Sequence, residues 1–367
     1  MTRAADRNDS IAGAIYGMAL GDAWGYPTEF MSHSQILAKR PSPPQLLKVT
    51  DDTQMSLYNL RAVRRILAEG VDLTDILQDR ELQSRVRRIF ADEHLAFGID
   101  PDNNRAPGNT VMGALRAYRY SERATGLEGS SLNESKGCGT VMRAPWLGLL
   151  PLERSTVIAL AILQSQTTHG HSVATLSSAV TALVARDLFE GSLAPIEGPA
   201  RNRVVSMLYK LIELANEVGE LQSNLIADGE ILNGLWDFRS SLEEIIRSIQ
   251  AVSNEALLNE SRDICDWLGQ GWVGDEALFC AAGALALYGE ESFSGINRLV
   301  FSNGDSDSIA AVGGSFLGIL GGYNALAAQA KSRGCSIRGS FEPRYEDELA
   351  SAGAFISQLW ANSPTAG

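Results

Sequence analysis

The chain sets 31 Lys+Arg against 44 Asp+Glu over 367 residues, a formal net charge of −13, with 45% apolar and 20% charged residues. This is a globular mixture and excludes an intrinsically disordered chain, while the missing basic excess excludes a general nucleic-acid or membrane-surface binder. Its four cysteines, Cys138, Cys265, Cys280 and Cys335, form no CxxC pair, which excludes a disulfide framework or zinc ribbon and suits a reducing compartment.

The polar start, Met1-Thr-Arg-Ala-Ala-Asp-Arg, leads into an apolar stretch broken by Asp22. That stretch is too short for a signal peptide or membrane span, so a soluble cytoplasmic protein is expected. Residues 10–21 read as a helix capped by Asp9 or Ser10. Gly13, Gly17 and Gly21 recur every fourth residue along it and lay a bare stripe down one face. The segment Gly21-Asp-Ala-Trp-Gly-Tyr-Pro-Thr-Glu29 then turns at Gly25 and Pro27 and presents Asp22 and Glu29.

After a Pro-rich connection at 41–44, Thr50-Asp51-Asp52-Thr53 opens a strongly amphipathic helix over 53–69. Residues 98–108 form a Pro/Gly/Asn-rich loop that ends in Ala106-Pro-Gly-Asn-Thr110, ahead of a helix over 110–120. A Ser/Gly-rich loop over 126–139 leads into Gly137-Cys-Gly-Thr-Val-Met-Arg143-Ala-Pro145. Helices are expected at 153–166, 172–190, 203–218, 241–256, 275–288, 308–330 and 344–359. With no alternating strands and no βαβ rhythm, the fold class is all-α. The apolar segments 277–288 and 309–320 are about three turns long and read as buried helices. The whole chain, 1–367, is expected to form one domain, with the charged, motif-free stretch 201–261 as a peripheral helical insertion.

Near the end, Asn303-Gly-Asp305-Ser-Asp307-Ser308 opens a second glycine-striped helix, with Ala310, Gly314, Gly318 and Gly322 four apart. Glycine inside a helix costs roughly 1 kcal/mol relative to alanine, so both stripes imply close backbone approach. Tight helix packing alone accounts for such stripes; here it would also draw the acid clusters together.

The clusters at Asp51-Asp52 and at Asp305 and Asp307 each sit at a helix start, where capping and dipole complementarity would account for them singly. Together they form a set of hard oxygen ligands suited to Mg²⁺, Mn²⁺ or Ca²⁺. Asp305-x-Asp307 lacks the downstream glycine and bidentate acid of an EF-hand. Two clusters could instead clamp a pair of ions about 3.5–4 Å apart and activate water. The loops at 106–110 and 137–145 could hold an anion on backbone N–H groups, with Arg143 pairing with an acid or a phosphate. Thr168-His169-Gly-His171 carries half of the four histidines. Cys138 has no evident base partner that would make it a nucleophile.

The ordered set Gly21-Asp-Ala-x-Gly-x-Pro-x-Glu29, Thr50-Asp-Asp-Thr53, Ala106-Pro-Gly-Asn-Thr110, Gly137-x-Gly-x-x-Met-Arg-x-Pro145, Thr168-His-Gly-His171, Gly271-Trp-Val-x-x-Glu-Ala-Leu278 and Gly304-Asp-Ser-Asp-Ser308 resembles the ADP-ribosylglycohydrolases, enzymes related to dinitrogenase-reductase-activating glycohydrolase. The resemblance implies an all-α bundle around a binuclear Mg²⁺ or Mn²⁺ site that hydrolyses the bond to the distal ribose of ADP-ribose. The partner would be an ADP-ribosylated protein or another ADP-ribose conjugate.

By matching position, Thr50, Asp51 and Asp52 would supply metal ligands from one side, and Asp305, Asp307 and Ser308 from the other. Glu29 would act from the loop over the site and join Asp52 and Asp305 as the catalytic set. Gly108, Asn109, Gly137, Cys138 and Gly139 would line the ADP-ribose channel, with His169 nearby. Two departures stand out. The last motif reads Gly-Asp-Ser-Asp-Ser where the family usually has Gly-Asp-Thr-Asp-Thr, and Ser308 keeps the hydroxyl. Ala106-Pro107 stands where some members carry an acid used on arginine-linked ADP-ribose. Two other classes compete with this reading: an immunity or binding protein that blocks an ADP-ribosylating toxin by contact, and a metal-dependent nucleotide phosphohydrolase.

Overall fold

A computed structural model describes residues 7–120, 133–221 and 230–363. The polar start at 1–6, part of the predicted loop (126–132) and part of the predicted insertion (222–229) lie outside the described residues. The helices are α1 (Arg7–Gly25), α2 (His33–Lys39), α3 (Asp51–Ala68), α4 (Arg80–Gly98), α5 (Asn109–Tyr120), α6 (Arg154–Gln166), α7 (Ser172–Glu190), α8 (Ala200–Leu221), α9 (Glu230–Gln250), α10 (Asn254–Leu258), α11 (Cys265–Leu268), α12 (Gly274–Tyr288), α13 (Ser292–Val300), α14 (Ser306–Ser332) and α15 (Pro343–Ala361). Among the described residues, β pairing is limited to two isolated bridges, Leu47 with Phe341 and Gly137 with Val273. The expected all-α class is what the chain adopts.

The organising contact is an antiparallel crossing of α1 and α14. A methyl group on Gly13 would stand 2.0 Å from the Gly318 carbonyl oxygen, one on Gly17 2.2 Å from that of Gly314, and one on Gly21 2.0 Å from that of Ala310. The two glycine stripes therefore interlock backbone to backbone over three turns, and no side chain can be inserted between them. Gly25, last in the row, meets Ser306 and Asp307. The contact brings the C-terminal end of α1 against the start of α14, so Asp22 and Glu29 face Asp305 and Asp307 although about 280 residues separate them. Gly322 departs from the expected continuous helix: at φ 78° it breaks α14 into two segments just beyond the crossing, a conformation glycine adopts without a Cβ penalty.

Around this pair stand α7 and α12, which are buried on nearly every side, as core helices are. Helices α7 and α14 are long and apolar enough to cross a membrane, and both are largely enclosed within the fold. The segment 201–261 contains nearly all of α8 and the whole of α9 and α10. Its Leu208, Leu211, Leu214, Phe238 and Leu242 are fully buried and join the same core as α7 and α12. The predicted helix 241–256 is divided in the structure: α9 ends at Gln250, and Ser253 caps α10 by accepting from the Ala256 N–H.

Candidate functional site

The first turn of α3 is capped from another helix. Thr50 stands at its N-cap, yet its side chain makes no capping bond. The Asp22 carboxylate, fully buried at the end of α1, accepts instead from the N–H groups of Thr50 and Thr53 and from both their hydroxyls, at 2.5–3.2 Å. Asp51 and Asp52 are thus released from the capping role that their position suggests. Asp51 accepts from the Gly108 N–H at 3.2 Å. Asp52 keeps one oxygen, Oδ1, buried without a hydrogen-bond partner.

The facing wall is the start of α14. The Asp305 N–H donates to the Gln270 carbonyl at 2.8 Å, and the Asp305 side chain makes no cap bond. Gly304 is obligatory there, because a methyl group would fall 2.1 Å from the same Gln270 carbonyl oxygen. Asp307 accepts from the Ser308 N–H at 3.1 Å. The turn carrying Glu29 is fastened to this wall: the Thr28 hydroxyl donates to the Gly25 carbonyl at 2.7 Å and lies 3.1 Å from the Ser306 hydroxyl. Phe30, next in the chain, holds φ 63° and is 76% exposed. A bulky residue in that region is strained, and its ring stacks on Trp272 with centroids 5.4 Å apart.

Two overlapping groups of carboxylates result. Oxygens of Asp22, Asp52 and Asp307 lie within 4.8 Å of one another, and so do oxygens of Glu29, Asp305 and Asp307. Asp307 belongs to both. Asp22, given no role by the sequence motifs, is a full member; the Gly-Asp step ending the α1 stripe is the signal that points to it. Asp51 lies beside these groups and outside both. Among the described residues none of these carboxylates is ion-paired.

Burial raises every one of them. It lifts Asp22 to about 6 against four opposing hydrogen bonds from Thr50 and Thr53, and Glu29 to about 7 with help from Asp305. Asp51, Asp52 and Asp307 are driven well above the ordinary carboxylate range by burial and by their neighbours' charge, and Asp305 also rises. Such a set is costly without a cation. Its all-oxygen donors, the unpartnered Asp52 Oδ1 and the shielded, unpartnered Glu29 Oε2 fit a hard divalent ion.

The glycine-rich segment 137–145 forms the adjoining wall. The His169 imidazole packs against it: a methyl on Gly137 would stand 3.2 Å from His169 Nε2, and one on Gly139 3.0 Å from its Cε1. Burial holds His169 down to about 3, so it is neutral. The N–H of Gly137 donates to Ser135 Oγ and that of Cys138 to the Trp272 carbonyl, which leaves neither free for an anion.

Arg143 differs from its expected pairing with an acid or phosphate. It is fully buried and donates to the Gln164 side chain and carbonyl, to the Thr168 hydroxyl and to Met55 Sδ, which fixes the residue ahead of His169. His171 serves the backbone locally, since its Nδ1 accepts from the Val173 N–H and caps α7. Gly108 and Asn109 lie at the start of α5, facing Asp51. A separate cavity of about 850 Å³, lined by Arg7, Val71, Arg186 and Trp360, lies at the other end of α1 and contains none of the cluster.

Comparison with known proteins identifies the family and the fold. The uncharacterized protein YegU of Escherichia coli (strain K12) is 25% identical over 367 residues, covering 94% of this chain and 97% of its own. A solved structure titled ADP-ribosylglycohydrolase-related protein complex shares the fold with a TM-score of 0.61 at 18% identity, over 96% of this chain and 98% of that one. The family described as ADP-ribosylglycohydrolase matches residues 3–350. With its acid clusters brought together by the helix crossing and nearly its whole length matched, the chain belongs to the ADP-ribosylglycohydrolase family and is a hydrolase of that kind.

Proposed function

We propose that the chain releases ADP-ribose from a conjugated protein or small molecule by water attack at the anomeric carbon of the distal ribose, with two Mg²⁺ or Mn²⁺ ions. The observation that carries this reading is the pair of carboxylate groups sharing Asp307, two of whose buried oxygens, Asp52 Oδ1 and Glu29 Oε2, have no hydrogen-bond partner. Asp22, Asp52, Asp305 and Asp307, with Thr50, Asp51 and Ser308 beside them, would hold the ions. Bound there, the cations supply positive charge for the ribose hydroxyls and acidify a water.

Glu29 is the least enclosed of the carboxylates and stands at the rim, on a turn fastened to the metal-binding wall by Thr28. A carboxylate with a pKa near neutrality is suited to orient the attacking water and take its proton. Gly108 and Asn109 on one side, with Gly137, Cys138 and Gly139 backed by His169 on the other, would line the channel. The first-turn N–H groups of α5 have no intrahelical partner and offer a seat for the pyrophosphate, which lets an acidic protein bind an anionic ligand.

The test is incubation with arginine-, serine- and acetyl-linked ADP-ribose, with and without Mg²⁺, followed by identification of products. Free ADP-ribose from at least one conjugate, only with metal, is expected. In Glu29→Gln, kcat should fall by about 10²–10⁴ while ADP-ribose affinity changes little. Phosphate release would instead indicate a phosphohydrolase, and tight ADP-ribose binding without turnover of any linkage would indicate a binding protein.

A further inference from the structure

The loop that ends at Gly108 is gripped by the C-terminal helix. Arg344, in the first turn of α15, donates from Nη1 to Asp100 and to Asp102, both at 2.8 Å, and from Nη2 to the second oxygen of Asp100. Arg105, three residues before Gly108, forks onto Glu342 at the N-cap of α15 and donates to the Val49 carbonyl at 3.1 Å, beside Thr50. Helix α3 holds the other side. Tyr58 donates to Asp100 at 2.6 Å, and the buried Gln54 amide donates to the Asp102 carbonyl at 3.3 Å and to the Tyr345 hydroxyl at 2.6 Å. None of Arg105, Glu342 and Arg344 belongs to the motifs that mark the site.

The grip bears on the site through Ala106. That residue holds φ 51° between Arg105 and Pro107, a left-handed conformation that a side chain with a Cβ keeps only when its surroundings impose it. Two residues on, the Gly108 N–H donates to Asp51 at 3.2 Å, and α5 starts at Asn109. The strained step is thus pinned before it by Arg105 and after it by Asp51, which sets the direction in which α5 begins. Isolated surface ion pairs hold little. These pairs are forked, Asp100 and Arg105 are mostly enclosed, and both guanidinium groups lie over the Tyr345 ring, at 5.4 Å and 5.3 Å. The Arg344 fork also keeps the Asp100 carboxyl well below the ordinary carboxylate range.

We propose that Arg105 and Arg344 are positioning residues for ADP-ribose: by clamping residues 99–108 to α15 they aim the first-turn N–H groups of α5 into the channel. The inference rests on the reading of α5 as the seat of the pyrophosphate and adds the C-terminal helix to the machinery that builds that seat. Both guanidinium groups are spent on protein carboxylates, so they act through the loop and not by touching the ligand. No member of the clamp belongs to either carboxylate group that could hold a metal. Loss of the clamp should therefore separate ligand binding from metal binding.

The experiment compares the full-length wild type with Arg344→Gln, Arg105→Gln and a control, Arg154→Gln. Arg154 makes a similar forked pair with Glu217 and also meets Asp187, joining α6, α7 and α8 and not the loop. Each protein is titrated calorimetrically with Mn²⁺, then with ADP-ribose at saturating Mn²⁺, and amide hydrogen exchange over 99–110 is followed by mass spectrometry. In Arg344→Gln and Arg105→Gln the ADP-ribose Kd should rise at least about tenfold. Exchange over 99–110 should quicken in both, and Mn²⁺ affinity should hold. Arg154→Gln should match the wild type in all three measurements. Wild-type ADP-ribose affinity in both loop variants would overturn the positioning role and leave the proposed activity standing. Unchanged exchange over 99–110 would overturn the clamp itself, and an equal loss of affinity in Arg154→Gln would assign the effect to general loosening. A wild type that binds Mn²⁺ but not ADP-ribose would remove the proposed activity and this role with it.

Discussion

Replacing Gly21 by alanine tests whether the helix crossing builds the site. The added methyl would stand 2.0 Å from the Ala310 carbonyl oxygen and 2.4 Å from its carbon, where ordinary contact begins at 3.4 Å. Both obstacles are backbone, so the helices must part by more than an ångström. Overpacking of this kind costs up to about 3 kcal/mol, and alanine returns about 1 kcal/mol of helix propensity. The net loss is then about 2 kcal/mol.

The functional consequence is larger than the stability change. Metal–ligand distances tolerate deviations of about 0.2 Å, and the displacement opens at Asp22 on one helix and Asp307 on the other. Urea titration followed by circular dichroism, paired with calorimetric Mn²⁺ titration, should show both losses together. Gly113→Ala on α5 is the control: nothing lies within 4 Å of the added carbon, so it should stabilise by up to about 1 kcal/mol and leave Mn²⁺ binding intact. A Gly21→Ala protein with wild-type stability and wild-type Mn²⁺ affinity would refute the claim that backbone contact of α1 with α14 sets the carboxylate spacing.

Asp51→Asn and Asp305→Asn should each relieve charge repulsion among buried acids, so their metal-free forms should melt at or above the wild-type temperature. They should also lose turnover and most of the upward shift in melting temperature that Mn²⁺ produces; an undiminished shift in both would exclude these residues as ligands. That shift should in turn depend on pH. Asp22 and Glu29 are raised to about 6 and about 7, so the stability they contribute in the metal-free protein is fully present below their unfolded values and is lost as pH rises through 6 to 7. A cation replaces those protons, so the Mn²⁺-induced increase in melting temperature should grow between about pH 5 and about pH 8. The buried His94 and His169, both lowered, act in the opposite sense but equally with and without metal. A shift that shrinks over this range would contradict the proton–metal competition.

The sequence by itself determined the helical class, the two glycine stripes and the acidic helix starts, because each is a short-range pattern written in neighbouring residues. The helix at 80–98 escaped that reading. Arg80, Arg85, Arg87 and Arg88 crowd the segment, although Val86, Ile89, Phe90 and Phe97 supply a buried face at helical spacing. The glycine spacing also foretold that α1 and α14 would touch, since a bare stripe has no other partner that repays its cost in propensity.

What only the tertiary structure decided is which group does what at the meeting point. Asp22 caps α3 across 28 positions of chain and so frees Asp51 and Asp52 from capping. Arg143 spends its charge on Gln164 and Thr168 rather than on an acid. Cys138 reaches Asp305 across 167 positions. A hydrogen-bond donor is satisfied by whichever acceptor the packing delivers within about 3 Å, and packing delivers acceptors that no local pattern in the sequence encodes.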